Sequence, residues 1–344
     1  MIKLLFNTSN NDISSVEIKE LLGFTDANIS FKNMLSEFIT SSKEVKKIIG
    51  PTAYDHIAAL YTAGLTDGQF TVNLAEFNSF LVRSTRYPIA ALAYSIYAPT
   101  NDLRHGNDGR TVVAGENTKQ PWQWQIDNDN KAQEKRYYKG IDDLIEMLDD
   151  SKPEGYAAMN DAAKQATIYY KWINSDNYKE LKSVFVNTVD DFNKVFIIES
   201  RLLLLKLTSA LKECEKFEIA PRIGKEKYDA LKAAAPTDAK DIELLQLIKN
   251  ACVYYSLAWA IPRMSATIFP EGVLQFQISD RQSTTAKKPV LGNEHEYARQ
   301  AFADSAKSNL LAIEQLLAPA PVVDAELKPI DLDRCQEDKF FSAT

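Results

Sequence analysis

Ile48-Ile49-Gly50-Pro51-Thr52-Ala53-Tyr54-Asp55-His56-Ile57 is answered later in the chain by Arg222-Ile223-Gly224-Lys225-Glu226-Lys227-Tyr228-Asp229-Ala230-Leu231. Ile, Gly, Tyr and Asp recur with one shift (224 − 50 and 228 − 54 both give 174). Glycine is the usual residue at the end of a helix, and Pro51 suits the first turn of the next one. The stretch therefore reads as a corner between two helices, with Gly50 and Gly224 at the bend. Tyr54 and Tyr228 then pin the second helix on the first. A Tyr–Asp acid/base pair is the functional alternative for Tyr54-Asp55 and Tyr228-Asp229. A pair present in both halves of one chain is more naturally a determinant of the fold.

Working outward from the first corner, Phe31, Met34, Leu35, Phe38, Ile39 and Val45 fall at helical spacing and predict an amphipathic helix over residues 28–49. Tyr54, Ile57, Ala58 and Tyr61 follow on a second helix. A long apolar helix, residues 73–97, comes next, with Pro88 expected to kink it. Around the second corner, residues 190–217 read as one continuous apolar helix and residues 239–261 as the long one, closed by Pro262. Each half then has a glycine-containing strand region (Arg110 to Val113, and residues 273–278) and a charged helix (127–149 and 293–317). Residues 122–126 alternate, so they are either extended or the entry to the first charged helix. Each half also opens on a short apolar run, and Phe185-Val186-Asn187-Thr188 matches Leu5-Phe6-Asn7-Thr8. Residues 1–6 are read as a strand or extended arm and 181–187 as a strand. The fold expected is mainly α with short β elements, a duplicated helical domain. Its parts are residues 1–155 (first repeat), 156–180 (connector), 181–318 (second repeat) and 319–344 (an extended C-terminal tail).

The 344 residues suffice for two cores. A net charge of −7 argues against a protein that coats nucleic acid, which needs a basic face. Cys214, Cys252 and Cys335 are odd in number and show no CxxC spacing, so a disulfide framework or zinc site is not expected. No apolar window reaches the roughly 20 residues that span a bilayer. The reading is a soluble, cytoplasmically made protein without membrane partners.

No constellation points to catalysis, a cofactor or a metal. His56, His105 and His295 sit on three elements without ligand spacing. No phosphate-cradling glycine loop or G-x-S-x-G elbow occurs. The carboxylate pairs Asp142-Asp143 and Asp149-Asp150 read as a solvated helix face and its end rather than paired acids. Asn107-Asp108-Gly109 and Asp127-Asn128-Asp129 lack the rest of a calcium loop. Trp122, Trp124, Phe269, Phe340 and Phe341 fit either an interface or local packing. Arg281, Lys287 and Lys288 form a small basic loop, either solvated or facing a phosphate backbone.

Several stretches carry a resemblance: residues 48–55 and 82–97, Trp172-Ile173-Asn174-Ser175, Phe185-Val186-Asn187-Thr188, Asp191-Phe192, Glu199-Ser200-Arg201, Glu215 and Ile223-Gly224. Over nearly its whole length the chain resembles an uncharacterised family of virion-associated proteins of Bacteroidetes phages and prophages, crAss-like phages included. In helix pattern it is similar to the head–tail connector (adaptor) proteins of tailed phages, at about twice their length. The resemblance implies a non-enzymatic structural protein of the virion. It would be a neck-ring subunit at the portal–tail junction, made in the host cytoplasm. Its partners would be its own copies, 12-fold if the ring follows the portal, with the portal protein, other ring or tail proteins, and translocating DNA in passive contact. The segments 1–6, 181–187 and 273–278 would then suit strand addition between subunits, and the tail would order on assembly. The alternatives are another tail or capsid-associated structural protein, a nucleic-acid-binding module using the basic loop, and, from another class, a hydrolase working from loops 101–127 and 269–290.

Overall fold

In a computed structural model the structure describes residues 2–9, 12–13, 15–23, 34–66, 69–101, 103–106, 109–112, 122–263, 276–277, 286–287 and 292–318. Helices dominate, as the spacing of apolar residues predicts. The described strands form four separate two-stranded antiparallel hairpins: β1 (Thr8–Ser9) with β2 (Asp12–Ile13), β3 (Leu65–Thr66) with β4 (Gln69–Phe70), β5 (Leu103–Gly106) with β6 (Gly109–Val112), and β7 (Phe276–Gln277) with β8 (Ala286–Lys287).

The first half runs through α1 (Ser15–Leu22), α2 (Leu35–Ile49), α3 (Pro51–Ala63), α4 (Phe77–Asn101) and α5 (Gln123–Asp149). Helix α4 continues through both Pro88 and Pro99. Residues 122–126 resolve as the entry to α5, where the Trp122 N–H donates to the Gln125 side chain at 2.9 Å. The second half repeats the order with α9 (Val189–Asn193), α10 (Arg201–Cys214), a π-turn (Glu215–Ile219), α11 (Ala220–Ile223), α12 (Lys225–Ala233), α13 (Ala239–Ala260) and α14 (Gly292–Leu317). In both halves a hairpin stands between the long helix and the last one.

Between the halves lie three short helices, α6 (Asp161–Ala166), α7 (Ile168–Ile173) and α8 (Asp176–Lys182). Their brevity follows from closely spaced capping residues. The Asn160, Thr167 and Ser175 side chains each accept a backbone N–H of the following turn, which starts a new helix each time.

Two expectations are corrected. Residues 190–217 are not one helix. Asn193 Oδ1 accepts the N–H groups of Ile198 and Glu199, Glu199 takes a left-handed conformation (φ 45°), and Ser200 caps α10. Nor do the apolar runs form strands. Residues 2–7 and 183–188 are irregular threads, with Leu5, Phe6, Val184, Phe185 and Val186 all buried. These consecutive residues are buried, and among the described residues none pairs with them in a ladder. Described backbone groups of the threads bond to side chains instead: the Asn7 N–H donates to Glu17 and the Phe185 N–H to Glu215.

Each half closes its own core. One cluster of buried side chains runs from Leu5 to Trp172, the other from Val184 to Ile313. Helix α10 is shared. Leu202 belongs to the first cluster, while Leu203, Leu204, Leu207 and Leu211 belong to the second.

Candidate functional site

The repeated stretch forms the same corner twice. Gly50 has φ 89° and ψ 150°, and Gly224 has φ 79° and ψ 149°, a region open essentially to glycine alone. The Gly50 N–H donates to Lys46 O at 3.0 Å and its carbonyl accepts from Tyr54 N at 3.1 Å. Gly224 repeats both bonds, with Ala220 O and Tyr228 N, each at 3.0 Å.

The tyrosines have parallel duties. Tyr54 is wholly buried, and its hydroxyl donates to Lys3 O in the opening thread at 2.8 Å. Burial pushes its phenol up to about 12, so the hydroxyl stays protonated at ordinary pH and keeps its donor role. The Tyr228 hydroxyl donates to Glu215 Oε2 at 2.8 Å, and Glu215 Oε1 accepts the Phe185 N–H of the second thread. Each corner thus holds its half's thread, directly in one case and through a carboxylate in the other.

The aspartates differ. Asp55 pairs with Lys46 Nζ at 2.8 Å across the first corner, and that ammonium also lies over the Tyr54 ring. Asp229 is exposed, and the 174 shift puts Ala220 opposite Lys46. A dyad common to both halves is therefore not built.

A buried charge cluster in the first half does not show in the local sequence pattern. Arg86, mid-way along α4, pairs with Glu17 of α1 at 2.7 Å; the two side chains are 1% and 2% exposed. Tyr61 Oη and the Asn7 and Phe70 N–H groups also donate to Glu17. The guanidinium lies over the rings of Phe6, Tyr61 and Phe70 at 4.9, 5.2 and 5.5 Å. Burial lowers its pKa, and the Glu17 charge opposes that shift. In the second half the same pair of elements, α9 and the long α13, is tied by Asp191 and Lys249 at 2.8 Å, with 16% and 19% exposure. Burial alone would raise the Asp191 carboxyl. The bond and charge of Lys249 outweigh it and hold the pKa below the usual range.

Asp143, Asp149 and Asp150 are exposed, as the sequence leads one to expect, but Asp142 and Asp149 also fasten neighbouring elements. Asp142 Oδ1 accepts from Leu202 N at 2.9 Å and Ser200 Oγ at 3.3 Å, fixing the start of α10. Burial raises its pKa, and these bonds oppose the shift. Asp149 Oδ1 accepts from Trp172 Nε1 at 2.7 Å, holding the connector on α5. Asp143 does lie on an exposed face, paired with Lys139.

Of the remaining candidates, Trp122 and Trp124 stand out from the start of α5, 65% and 46% exposed. Lys287 lies on β8 opposite Phe276. Phe269, Arg281, Lys288, Phe340 and Phe341 lie outside the described residues. So does Cys335, whereas Cys214 and Cys252 are buried thiols. His56, His105 and His295 fall on α3, β5 and α14. Among the described residues no group of three or more His, Cys, Asp or Glu side chains is placed to hold a metal ion, and no helix is long and apolar enough to cross a membrane.

The molecule is thus a duplicated helical scaffold in which the recurring polar groups fasten threads and helices together. It belongs to DUF6712, a family of unknown function, which it matches over residues 45–182 and 219–318, each block containing one corner, its long helix and the charged helix that follows. No curated protein and no solved structure matches the chain.

Proposed function

We propose that this chain is a structural protein of a phage particle, a head–tail connector that assembles with its own copies as a neck ring at the portal–tail junction. The phage assignment rests on the sequence resemblance. The observation that carries the structural reading is the reuse of the Gly-x-x-x-Tyr corner: both tyrosines and the carboxylates Asp142, Asp149 and Glu215 are engaged in holding the scaffold. Groups spent on internal fastening suit an assembly part, so no catalytic role is proposed.

Two helical units joined by a well-capped connector give a subunit with extensive sides for neighbours. The exposed Trp122 and Trp124 are of the residue type that anchors such contacts. The portal is the proposed partner, with DNA passing an acidic surface to which it does not adhere.

Electron microscopy of the purified full chain, alone and mixed with the cognate portal, tests the proposal. A closed ring is expected. A protein that stays monomeric at high concentration and does not bind the portal overturns it.

A further inference from the structure

The second half buries a pair of thiols that the fastening of the scaffold does not use. Cys214 ends α10 and Cys252 lies mid-way along α13, and both are wholly buried. The two share a hydrogen bond, so their sulfur atoms face each other. Their separation of 38 residues (252 − 214) leaves no motif in the sequence, and the first half contains no cysteine.

The approach of the two helices is fixed around the pair. Glu213, the residue before Cys214, accepts from Tyr255 Oη at 2.9 Å and from Trp259 Nε1 at 3.1 Å, about one and two turns beyond Cys252 on α13. Ala210, one turn before Cys214, and Ala251, beside Cys252, are also wholly buried. Small side chains at such a contact let two helix axes come close. Glu215, the residue after Cys214, is buried and accepts from Tyr228 Oη at 2.8 Å and Lys232 Nζ at 2.7 Å, both on α12.

Cys252 holds its proton firmly. The bond to Cys214, then burial, raise its pKa well above the ordinary thiol value; the Glu215 charge adds to this and the Lys232 ammonium opposes it. A buried, protonated thiol is inert toward oxidants until it is uncovered. The thin wall is α12, which buries only Leu231 and reaches the site through Tyr228 and Lys232. Elements with so few buried contacts are the first to open locally.

We propose that Cys214 and Cys252 form a redox site that closes to a disulfide when a peroxide enters past α12. One thiolate attacks the peroxide: an S–O bond forms, the O–O bond breaks, and the departing hydroxide takes up a proton and leaves as water. The second sulfur attacks the sulfenic acid so formed. The S–S bond forms, the S–O bond breaks, and a second water leaves. Both sulfurs are oxidised, the peroxide is reduced, and the two thiol protons end in the two waters. The crosslink ties α10, the helix shared by both cores, to α13. A reducing compartment leaves it open and an oxidising one closes it. This inference does not rest on ring assembly.

Treating the native full chain with millimolar hydrogen peroxide tests it. Peptide mapping without reduction should find Cys214 joined to Cys252 within the monomer, and a dithiol reductant should undo the link. Amide exchange in α10 and α13 should then slow about tenfold, with that in α2 and α3 unchanged. In Cys252→Ala the oxidant should leave exchange as it was; slowing that persists there overturns the proposal. Mapping of the parent chain decides the matter even where that variant does not fold. Thiols that stay free under prolonged treatment, that oxidise to sulfinic acids without joining, or that join only after unfolding in urea overturn it too.

Discussion

The halves of this protein use one plan in two dielectric settings. Both tie the helix after the opening thread to the long helix with an acid–base pair. In the first half that pair, Glu17 with Arg86, is sealed from water and enclosed by three aromatic rings. In the second half Asp191 and Lys249 remain partly wet. The corners follow the same division, covered at Gly50 and open at Gly224. Duplication has preserved geometry, therefore, while burial has diverged, and energetic consequences follow burial.

The sharpest break in the comparison comes from removing one charge from each pair. Arg86→Met leaves the Glu17 carboxylate buried without its counterion and should cost about 3–5 kcal/mol. Lys249→Met should cost about 1 kcal/mol or less, because water reaches Asp191. Urea denaturation of both variants measures the difference, and equal losses would remove the distinction drawn here.

The glycines come next. Both Gly50→Ala and Gly224→Ala force a side chain into a glycine-only backbone region, which costs about 1–3 kcal/mol. Gly50→Ala also collides with Ser175 and should exceed its counterpart by about 1–3 kcal/mol. Pairing Gly50→Ala with Ser175→Gly should return most of that excess in the same denaturation experiment.

The smallest effect is a dependence on pH confined to the first half. His56 on α3 is half-buried, and burial, followed by the Lys171 charge on α7, lowers its pKa from 6.5. Below pH 6.5 the unfolded chain therefore binds more protons than the folded one. The stability contributed is complete above that pH and is lost as pH falls through the lowered pKa. Ala230 stands at the equivalent place in the second half. His56→Gln should accordingly lose less stability than the parent between about pH 7 and 5. A thermal melt series with identical slopes would show that the imidazole is not coupled to folding.

Much of the scaffold was legible because its signals are local. Gly50 and Gly224 announce helix ends, and the Tyr spacing sets the packed face within one turn. The spacing of Tyr137, Ile141, Leu144 and Leu148 predicts the inward stripe of α5, and all four are buried. Residues 181–187 read as a strand, and 1–6 as a strand or an extended arm, because Leu5-Phe6 and Val184-Phe185-Val186 reveal how apolar they are and not what lies beside them. The break at residues 194–200 depends on Asn193 turning back to Ile198 and Glu199, a contact with no periodic signature. That Asp142 and Asp149 also accept hydrogen bonds from α10 and the connector has no local signature, because their partners lie 23 to 60 positions away. For the Glu17–Arg86 cluster the sequence shows only that two arginines, Arg83 and Arg86, stand among the apolar residues of 81–94, and whichever is buried requires a counterion. Nothing local says that it lies 69 positions earlier.

That separation bears on the order in which the halves close. The partners of Glu17 lie up to 69 positions away, whereas those of Glu215 lie within 30. Closing a chain segment costs entropy that rises with the logarithm of its length, so the longer loop is dearer by only about 0.7 kcal/mol. The penalty hardly touches the stability of the finished protein. It acts on the search that precedes it, and the half made first from the N-terminus has the longer reach to its own centre.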